Sequence, residues 1–221
     1  DWSTSYRGDI KVYFCVDTFT TWLPGLDLDK VRANVKLAID TWNTYGGVDF
    51  YLDWYGDRAG TRNGCSPNQM PSSGEVTVKA EDYRGGSVLA AVDMGSAVPM
   101  VRSTLSMYKR NDNGTISWTF DHTTNDFDIA TVLTHEFGHV IGFGDIYSPA
   151  YATVMNGTLG AYNRVVWHED VTKLRDTSQT HHYNHVTTRQ IVHKRSTDNG
   201  LNWSSQGNLQ EHTNSKLGVG F

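Results

Sequence analysis

The sequence has no long apolar segment, few prolines and no run of basic residues. No apolar stretch approaches the roughly 18 residues that a membrane-spanning helix requires, so we expect no membrane insertion. The net charge is −5 and the Lys and Arg residues are scattered, which argues against nucleic acid as a partner. Only 5 prolines accompany 21 glycines, a balance that favours a turn-rich α+β chain over a helical bundle.

The length and composition allow one well-buried domain with some additional chain. The 221 residues are 38% hydrophobic and 12% aromatic. The sequence begins at Asp1 without a methionine and without a signal-like segment. We therefore expect a mature, secreted form from which a leader has been removed, and we expect it to be a monomer.

Cysteine is also scarce, because Cys15 and Cys65 are the only two. They could be two buried thiols or a single disulfide. In a secreted chain we expect a Cys15–Cys65 disulfide that ties an early strand to a long loop.

The hydrophobic periodicity predicts an α+β fold in which a mixed sheet packs against two long helices. Asp27 is the expected N-cap of the first helix, which ends before Gly46. Asn125 or Asp126 is the expected cap of the second, which ends at Gly142. Strands are predicted over residues 10–16, 48–55, 75–81, 87–94 (a candidate edge strand) and 115–120. Residues 98–108 could be strand or loop. A last short helix is predicted over residues 168–175.

The second predicted helix carries the pattern H-E-x-x-H at His135, Glu136 and His139. Residues four apart lie on one face of an α-helix, so both imidazoles can turn toward one metal ion. Glu136 points about 100° away from His135 and is free to hold a water molecule beside the metal. This pattern is typical of zinc metalloproteases.

Asp145 follows six residues after His139 and is the candidate third ligand. Gly142 can adopt a positive φ and let the chain leave the helix sharply, so that Asp145 swings back. Zinc with three protein ligands keeps a fourth position for water, whose proton Glu136 would take and pass to the leaving amine. Two alternatives remain open: Glu169 could be the third ligand, and two histidines with one aspartate also match the facial triad of iron oxygenases.

The segment H-E-F-G-H-V-I-G-F-G-D resembles the metzincin signature H-E-x-x-H-x-x-G-x-x-H, with Asp145 where most metzincins have a third histidine. An aspartate there is the pattern of the snapalysins, small secreted bacterial neutral proteases. The segment V-R-A-N-V-K-L-A-I-D-T-W-N-T-Y followed by V-D-F-Y-L resembles the first helix and second strand of matrixin catalytic domains. The resemblance covers roughly residues 10–176.

The resemblance implies an active-site helix followed by a methionine turn and a C-terminal helix. Met155 is the best match to that methionine, although an ordinary core methionine is the alternative. Gly157 stands where some metzincins have an assisting tyrosine, so that role cannot be carried over. The nearby candidates are Tyr147, Tyr151 and Tyr162.

The resemblance also implies that a protein or peptide substrate binds extended along an edge strand, for which residues 87–94 are the candidate. A bulky apolar or aromatic side chain is then expected just beyond the cleaved bond. Clusters of Asp and Asn could in addition hold calcium, as in many secreted metalloproteases, although they lack EF-hand spacing.

The composition shifts after residue 176 toward Thr, Ser, Asn, Gln and His, which predicts a catalytic domain over 1–176 and a tail over 177–221. Within the tail, Ser196 to Trp203 resembles an Asp-box, S-x-D-x-G-x-x-W, an element that caps β-hairpins in sialidase-like propellers. This feature supports an alternative function, in which the chain is a glycan-binding or adhesive fragment and the metal site is incidental.

Overall fold

The computed structural model describes residues 9–22, 25–45, 52–60, 63–66, 68–94, 102–120, 126–147, 153–157, 193–195 and 204–206. By their internal contacts the residues form two units, Asp1–His182 and Tyr183–Phe221. The first unit has the expected α+β composition, with a multistranded sheet and helices. The helix predicted over 168–175 and the boundary predicted at 176 lie outside the described residues.

In the described part of the first unit, strands come mainly before the helix that carries the histidines. The strands are β1 (Ile10–Cys15), β2 (Leu52–Arg58), β3 (Glu75–Tyr83), β4 (Ala90–Asp93), β5 (Arg102–Asn111), β6 (Gly114–Thr115), β7 (Trp118–Thr119) and β8 (Phe127–Asp128), and the helices are α1 (Val16–Thr20), α2 (Leu28–Tyr45) and α3 (Ile129–Val140). None of these described helices is both long and apolar enough to cross a membrane.

The main sheet has the strand order β2-β1-β3-β5-β4, with β6 paired to the end of β5. Strand β1 runs parallel to β2 and β3, and β3 runs parallel to β5. Strand β4 is antiparallel to β5 and lies at the edge of the sheet. The prediction of an edge strand within residues 87–94 is therefore confirmed, over the shorter span Ala90–Asp93.

Helix α2 begins and packs as its sequence predicts. The Asp27 carboxylate accepts hydrogen bonds from the backbone N–H groups of Asp29 and Lys30, at 3.1 and 3.2 Å, which confirms the predicted N-cap. Its buried Trp42 donates from Nε1 to the carbonyl oxygen of Thr134 in α3, at 2.7 Å. This bond and the apolar packing between the two helices together fix the position of α3 relative to α2.

The predicted ends of the first three strands are wrong, and β3 continues past its predicted end at Glu81 to Tyr83. Val16 was expected in the first strand but begins α1, and Thr18 in this helix accepts a hydrogen bond from the N–H of Ala80 at 2.9 Å. The helix thus provides an acceptor for β3 beyond the end of β1. Strand β2 continues past the predicted end at Tyr55 to Arg58, while residues 48–51 lie outside the described part.

The strand predicted over 115–120 is divided into two pairings. Strand β6 continues from the turn after β5, whereas β7 pairs in parallel with β8. The N–H of Phe127 donates to the carbonyl oxygen of Ser117 at 2.9 Å, so this segment changes its hydrogen-bonding partner between β6 and β7.

The disulfide prediction is confirmed, because Cys15 and Cys65 are bonded and both are buried. The bond ties the end of β1 to the loop that precedes β3. In the second unit, β9 (His193–Arg195) and β10 (Ser204–Gln206) form an antiparallel pair on either side of the Asp-box-like segment. The segment itself, residues 196–203, lies outside the described residues.

Candidate metal centre

Helix α3 is a central helix that begins at a buried cap. Asp128 is the N-cap, and its carboxylate accepts from the backbone N–H and the hydroxyl of Thr131 at 2.8 and 2.7 Å. The prediction of a cap at Asn125 or Asp126 is wrong, since the helix starts at Ile129. Nearly every residue of the helix is buried, as expected for a helix surrounded by the rest of its domain. Its side chains are therefore held in place by packing.

The end of α3 turns the chain back toward its own histidines. Gly142 has a φ of +103°, as the sequence predicts for the residue at which the chain leaves the helix. Its N–H donates to the carbonyl oxygen of His139, and that of Phe143 donates to Gly138, both at 3.0 Å. This pair of bonds is the Schellman arrangement that terminates helices at a glycine. The chain then reverses and brings Asp145 to the histidines.

Three potential ligand atoms meet at this point. The Nε2 atoms of His135 and His139 are 3.0 Å apart. The Oδ1 atom of Asp145 lies 3.2 Å from the first and 3.5 Å from the second. Glu136 is also close, because one ligand atom each from His135, Glu136 and His139 lie within 4.8 Å of one another. This His-Glu-His cluster could hold a metal ion.

The second nitrogen of each imidazole contacts a backbone carbonyl. His135 Nδ1 lies 2.8 Å from the oxygen of Val154, and His139 Nδ1 lies 2.8 Å from the oxygen of Phe143. Since a carbonyl can only accept, each Nδ1 must carry the proton, which leaves a lone pair on each Nε2. Burial lowers the pKa of His135, and the nearby His139 adds to this effect, so the neutral form is favoured. The two lone pairs therefore face one another and favour a cation between them.

The Glu136 carboxylate is buried beside the two histidines. Its Oε2 atom has no hydrogen-bond partner among the described residues. Burial, with a smaller contribution from the charge of Asp145, raises the pKa of Glu136 to about 8. A carboxyl group in such surroundings is suited to accepting and releasing a proton.

Met155 lies directly behind the histidines in a short turn. It is fully buried, and its sulfur atom occupies the space beside Gly138, the residue before His139. The N–H of Met155 donates to the Thr153 hydroxyl at 3.0 Å, and its carbonyl oxygen accepts from the N–H of Ile146 at 2.7 Å. The turn is thus bonded to the segment that follows Asp145, and it supplies the Val154 carbonyl that orients His135.

A cleft of about 880 Å³ is lined by His135, Glu136, His139 and Asp145. One wall consists of residues 87–92, which include most of the edge strand β4. The lining also includes Tyr147 and Gly157, and a β-carbon added to Gly157 would lie only 2.6 Å from the ring of Tyr147. The hydroxyl of Tyr147 donates to Oδ2 of Asp145 at 3.2 Å, and this carboxylate raises the pKa of the tyrosine.

The sequence identified the side chains of this centre but missed the backbone groups that orient them. The carbonyls of Phe143 and Val154 and the hydroxyl of Thr153 carry no signal in the sequence, because their roles depend on the path of the chain after α3. Of the three candidate tyrosines, Tyr147 reaches the site. The alternative ligand Glu169 and the other candidates Tyr151 and Tyr162 lie outside the described residues.

Comparison with known proteins provides no relative from which a function could be transferred. No model of a known protein family matches the chain, and no curated protein matches it. The function is therefore inferred from the chemistry of the side chains in the cleft.

Proposed function

We propose that this chain is a secreted, zinc-dependent endopeptidase of the metzincin type. The observation that carries the proposal is the meeting of His135 Nε2, His139 Nε2 and Asp145 Oδ1 within 3.0–3.5 Å of one another beside the buried Glu136. Two neutral imidazoles, one carboxylate and an adjacent second carboxylate are the set that metal-assisted hydrolysis requires.

The spacing of the three ligand atoms fits a tetrahedral zinc ion. Zinc–nitrogen and zinc–oxygen distances of about 2.0–2.1 Å place tetrahedral ligands roughly 3.3–3.4 Å apart. The three separations, 3.0, 3.2 and 3.5 Å, bracket that value. We assign Asp145 rather than Glu136 as the third ligand because its Oδ1 atom lies at ligand spacing from both histidines. Glu136 then remains free for proton transfer.

In this proposal, His135, His139 and Asp145 would hold a zinc ion, which would supply Lewis-acid polarisation of the scissile carbonyl and would lower the pKa of the attacking water. Glu136 accepts the proton of that water through a carboxylate oxygen and later donates it to the leaving amine. The Phe143 and Val154 carbonyls keep both histidines in the tautomer that offers Nε2. Tyr147 holds Oδ2 of Asp145, which leaves Oδ1 directed at the histidines.

The substrate in this proposal is an extended peptide that adds a strand to β4. This strand has a partner on one side only among the described residues, and its other side borders the cleft that contains His135 and Glu136. Main-chain hydrogen bonds to an edge strand bind peptides largely independently of their sequence, as an endopeptidase requires. The Cys15–Cys65 disulfide supports an extracellular location, because such bonds persist in oxidising compartments.

Digestion of a denatured protein mixture tests this function. We expect cleavage within chains, its loss after removal of metal with a zinc chelator, and its return when zinc is added back. Metal analysis of the purified protein should give about one zinc per chain. A protein that contains iron, or that cleaves no peptide bond with zinc bound, would contradict the proposal. The glycan-binding alternative would then be tested by carbohydrate binding.

A further inference from the structure

The short strand β6 lies on the same side of β5 as the edge strand β4. Arg110 in β5 is paired with Tyr83 of β3 and also with Thr115 of β6. A strand has only two sides for hydrogen bonding, so β6 must lie on the side opposite to β3, which is the side of β4. Strand β4 pairs with residues 104–107 of β5, and β6 pairs with residues 110–111. The two strands therefore follow one another along one edge of the sheet.

Strand β5 is irregular where its partner changes from β4 to β6. The N–H of Tyr108 donates to the carbonyl oxygen of Leu89 at 3.0 Å, and the carbonyl oxygen of Lys109 accepts from the N–H of Ile116 at 2.9 Å. Two consecutive residues of β5 thus direct polar groups to the same side, whereas in a regular strand these directions alternate. Both β4 and β6 are antiparallel to β5, so they run in the same direction but are one residue out of phase.

Three residues of this edge direct their backbone N–H and C=O groups away from β5. Along an antiparallel pair, residues that bond to the partner alternate with residues that face outward. Leu89 bonds to β5 through its carbonyl oxygen, so Ala90 and Val92, one and three residues further on, face outward. Ile116 bonds to β5 through its N–H, so Thr115 before it also faces outward. No described residue bonds to the backbone groups on this outward side.

Thr115 lies in the same cleft as the candidate metal centre. Gly114 and Thr115 are exposed, and Thr115 lines the cleft together with Ala90, Val92 and His135. Ala90 lies opposite position 107 of β5 and Thr115 opposite position 110, so the two are three positions or about 10 Å apart along the edge. A peptide antiparallel to β4 would pass β4 with its N-terminal part and β6 with its C-terminal part.

We propose that the substrate-binding edge continues from β4 onto β6, with the backbone of Thr115 as a second docking point for the C-terminal part of a peptide substrate. This inference rests on the proposed endopeptidase function with β4 as the substrate-binding strand. Peptide residues opposite Val92 and Ala90 are two positions apart, as in a regular strand. The next bonded residue, opposite Thr115, is three positions further on. The bound peptide therefore departs from regular extended geometry between Ala90 and Thr115.

Replacement of single peptide amides by esters tests this docking point, because an ester keeps the shape of the backbone but has no N–H. A peptide with a mapped cleavage site is scanned in this way. Its affinity is measured for the zinc-loaded Glu136→Gln variant, which should bind peptides without cleaving them. We expect about 3- to 10-fold weaker binding at three residues, separated by two and then by three positions, because each loses one hydrogen bond. Esters at the residues between them should bind nearly as well as the parent peptide.

Two substitutions of Thr115 in the Glu136→Gln background separate docking from structural support. Thr115→Pro removes the outward N–H, at a position where the edge of a sheet tolerates proline. It should weaken the binding of peptides that reach β6 by about 3- to 10-fold and leave peptides truncated before that residue unaffected. Thr115→Val keeps the N–H and the shape of the side chain and is the matched control. A purely structural role would weaken the binding of long and short peptides equally. Thermal unfolding of each variant provides the control for folding.

The outcomes distinguish the docking point from the function on which it rests. If the sensitive esters number fewer than three or are evenly spaced, or if a folded Thr115→Pro variant binds long peptides unchanged, β6 is not a docking point and the endopeptidase function stands. If Thr115→Pro does not fold, the ester scan decides, because it leaves Thr115 unaltered. If the zinc-loaded original protein cleaves no peptide at all, both proposals are wrong.

Discussion

The sulfur atom of Met155 occupies the space that a β-carbon on Gly138 would need. Gly138 lies on α3 directly before His139, so the turn that contains Met155 is packed against the helix between the two histidines. The same added carbon would also lie 2.9 Å from Cζ2 of Trp42, a ring atom of a residue that does not move freely because it is buried and hydrogen-bonded. The absence of a side chain at 138 allows both contacts.

Gly138→Ala should therefore destabilise the protein and weaken its metal binding. Overpacking of this kind costs about 1–3 kcal/mol in the free energy of unfolding, and the displaced turn would also shift the Val154 carbonyl from His135. Denaturant unfolding and metal titration measure the two effects. Gly144→Ala is the matched control, because no atom beyond the two neighbouring residues lies within 4 Å of the added carbon there. Equal effects of the two substitutions would contradict the packing explanation.

Glu136→Gln should separate metal binding from catalysis. The amide has almost the same shape but cannot accept the proton, so kcat/KM should fall by about 10²–10⁴-fold while the zinc content remains unchanged. Metal analysis and peptide hydrolysis on the same preparation provide the comparison. Loss of zinc from this variant would mean that Glu136 is itself a ligand.

Asp145→Ala should have the complementary effect, with loss of most of the metal and of the activity. Only two of the three proposed ligands, the two histidines, would remain. The variant would also lack the carboxylate that balances the charge of the ion. Zinc affinity is measured by competition with a chelator of known affinity. Full zinc occupancy in the variant would rule out Asp145 as the third ligand.

Thr153→Val should weaken metal binding without removing any ligand. The substitution removes the hydroxyl that accepts from the N–H of Met155 while keeping the shape of the side chain. Since the turn supplies the carbonyl that orients His135, we expect roughly 10-fold weaker zinc binding. Thr153→Ser retains the hydroxyl and should bind zinc like the original protein. If the valine variant binds zinc equally well, this hydroxyl does not support the site.

The segment before the edge strand is held by Asp112, and this interaction should depend on pH. The Asp112 carboxylate accepts from the hydroxyl of Tyr83 and from the N–H of Gly86, at 2.7 Å in the second case. These bonds lower the pKa of Asp112, the tyrosine having the larger effect. A carboxyl group with a lowered folded-state pKa contributes stability above its unfolded-state pKa and loses it as the pH falls through the folded-state value.

Asp112→Asn should accordingly be less stable than the original chain at neutral pH, with a difference that disappears in acid. Urea unfolding at a series of pH values measures this difference, and an NMR titration of the carboxyl group gives the pKa directly. An aspartate pKa at or above the ordinary value would contradict the expectation. Because residues 87–89 line the cleft, we also expect a higher KM for the variant at neutral pH.

The sequence by itself determined the candidate residues of the site and the elements on which they lie. The four-residue spacing of His135 and His139 fixes them on one face of a helix wherever the helix packs. Gly142 predicts the end of this helix because few other residues adopt its backbone conformation. The Asp27 cap and the hydrophobic periodicity likewise predict α2, since both depend only on residues that are close in the chain.

The predicted start of α3 was wrong because Asn125, Asp126 and Asp128 all have side chains capable of capping a helix, and the sequence does not distinguish them. Asp128 is the cap, with its carboxylate bonded to Thr131 three residues further on. The error at the end of β1 involves a contact between distant residues. Val16 has a high preference for strands, yet it begins α1, which provides an acceptor for Ala80 in β3.

Only the tertiary structure decided what surrounds the predicted residues. The contact between Gly138 and Met155 and the carbonyl that orients His135 each combine residues from different segments of the chain. Local patterns cannot encode such pairings, because they depend on how the sheet and helices pack against one another. The sequence thus specifies the candidate ligands, and the packing of the chain specifies their orientation and the surfaces that a substrate would meet.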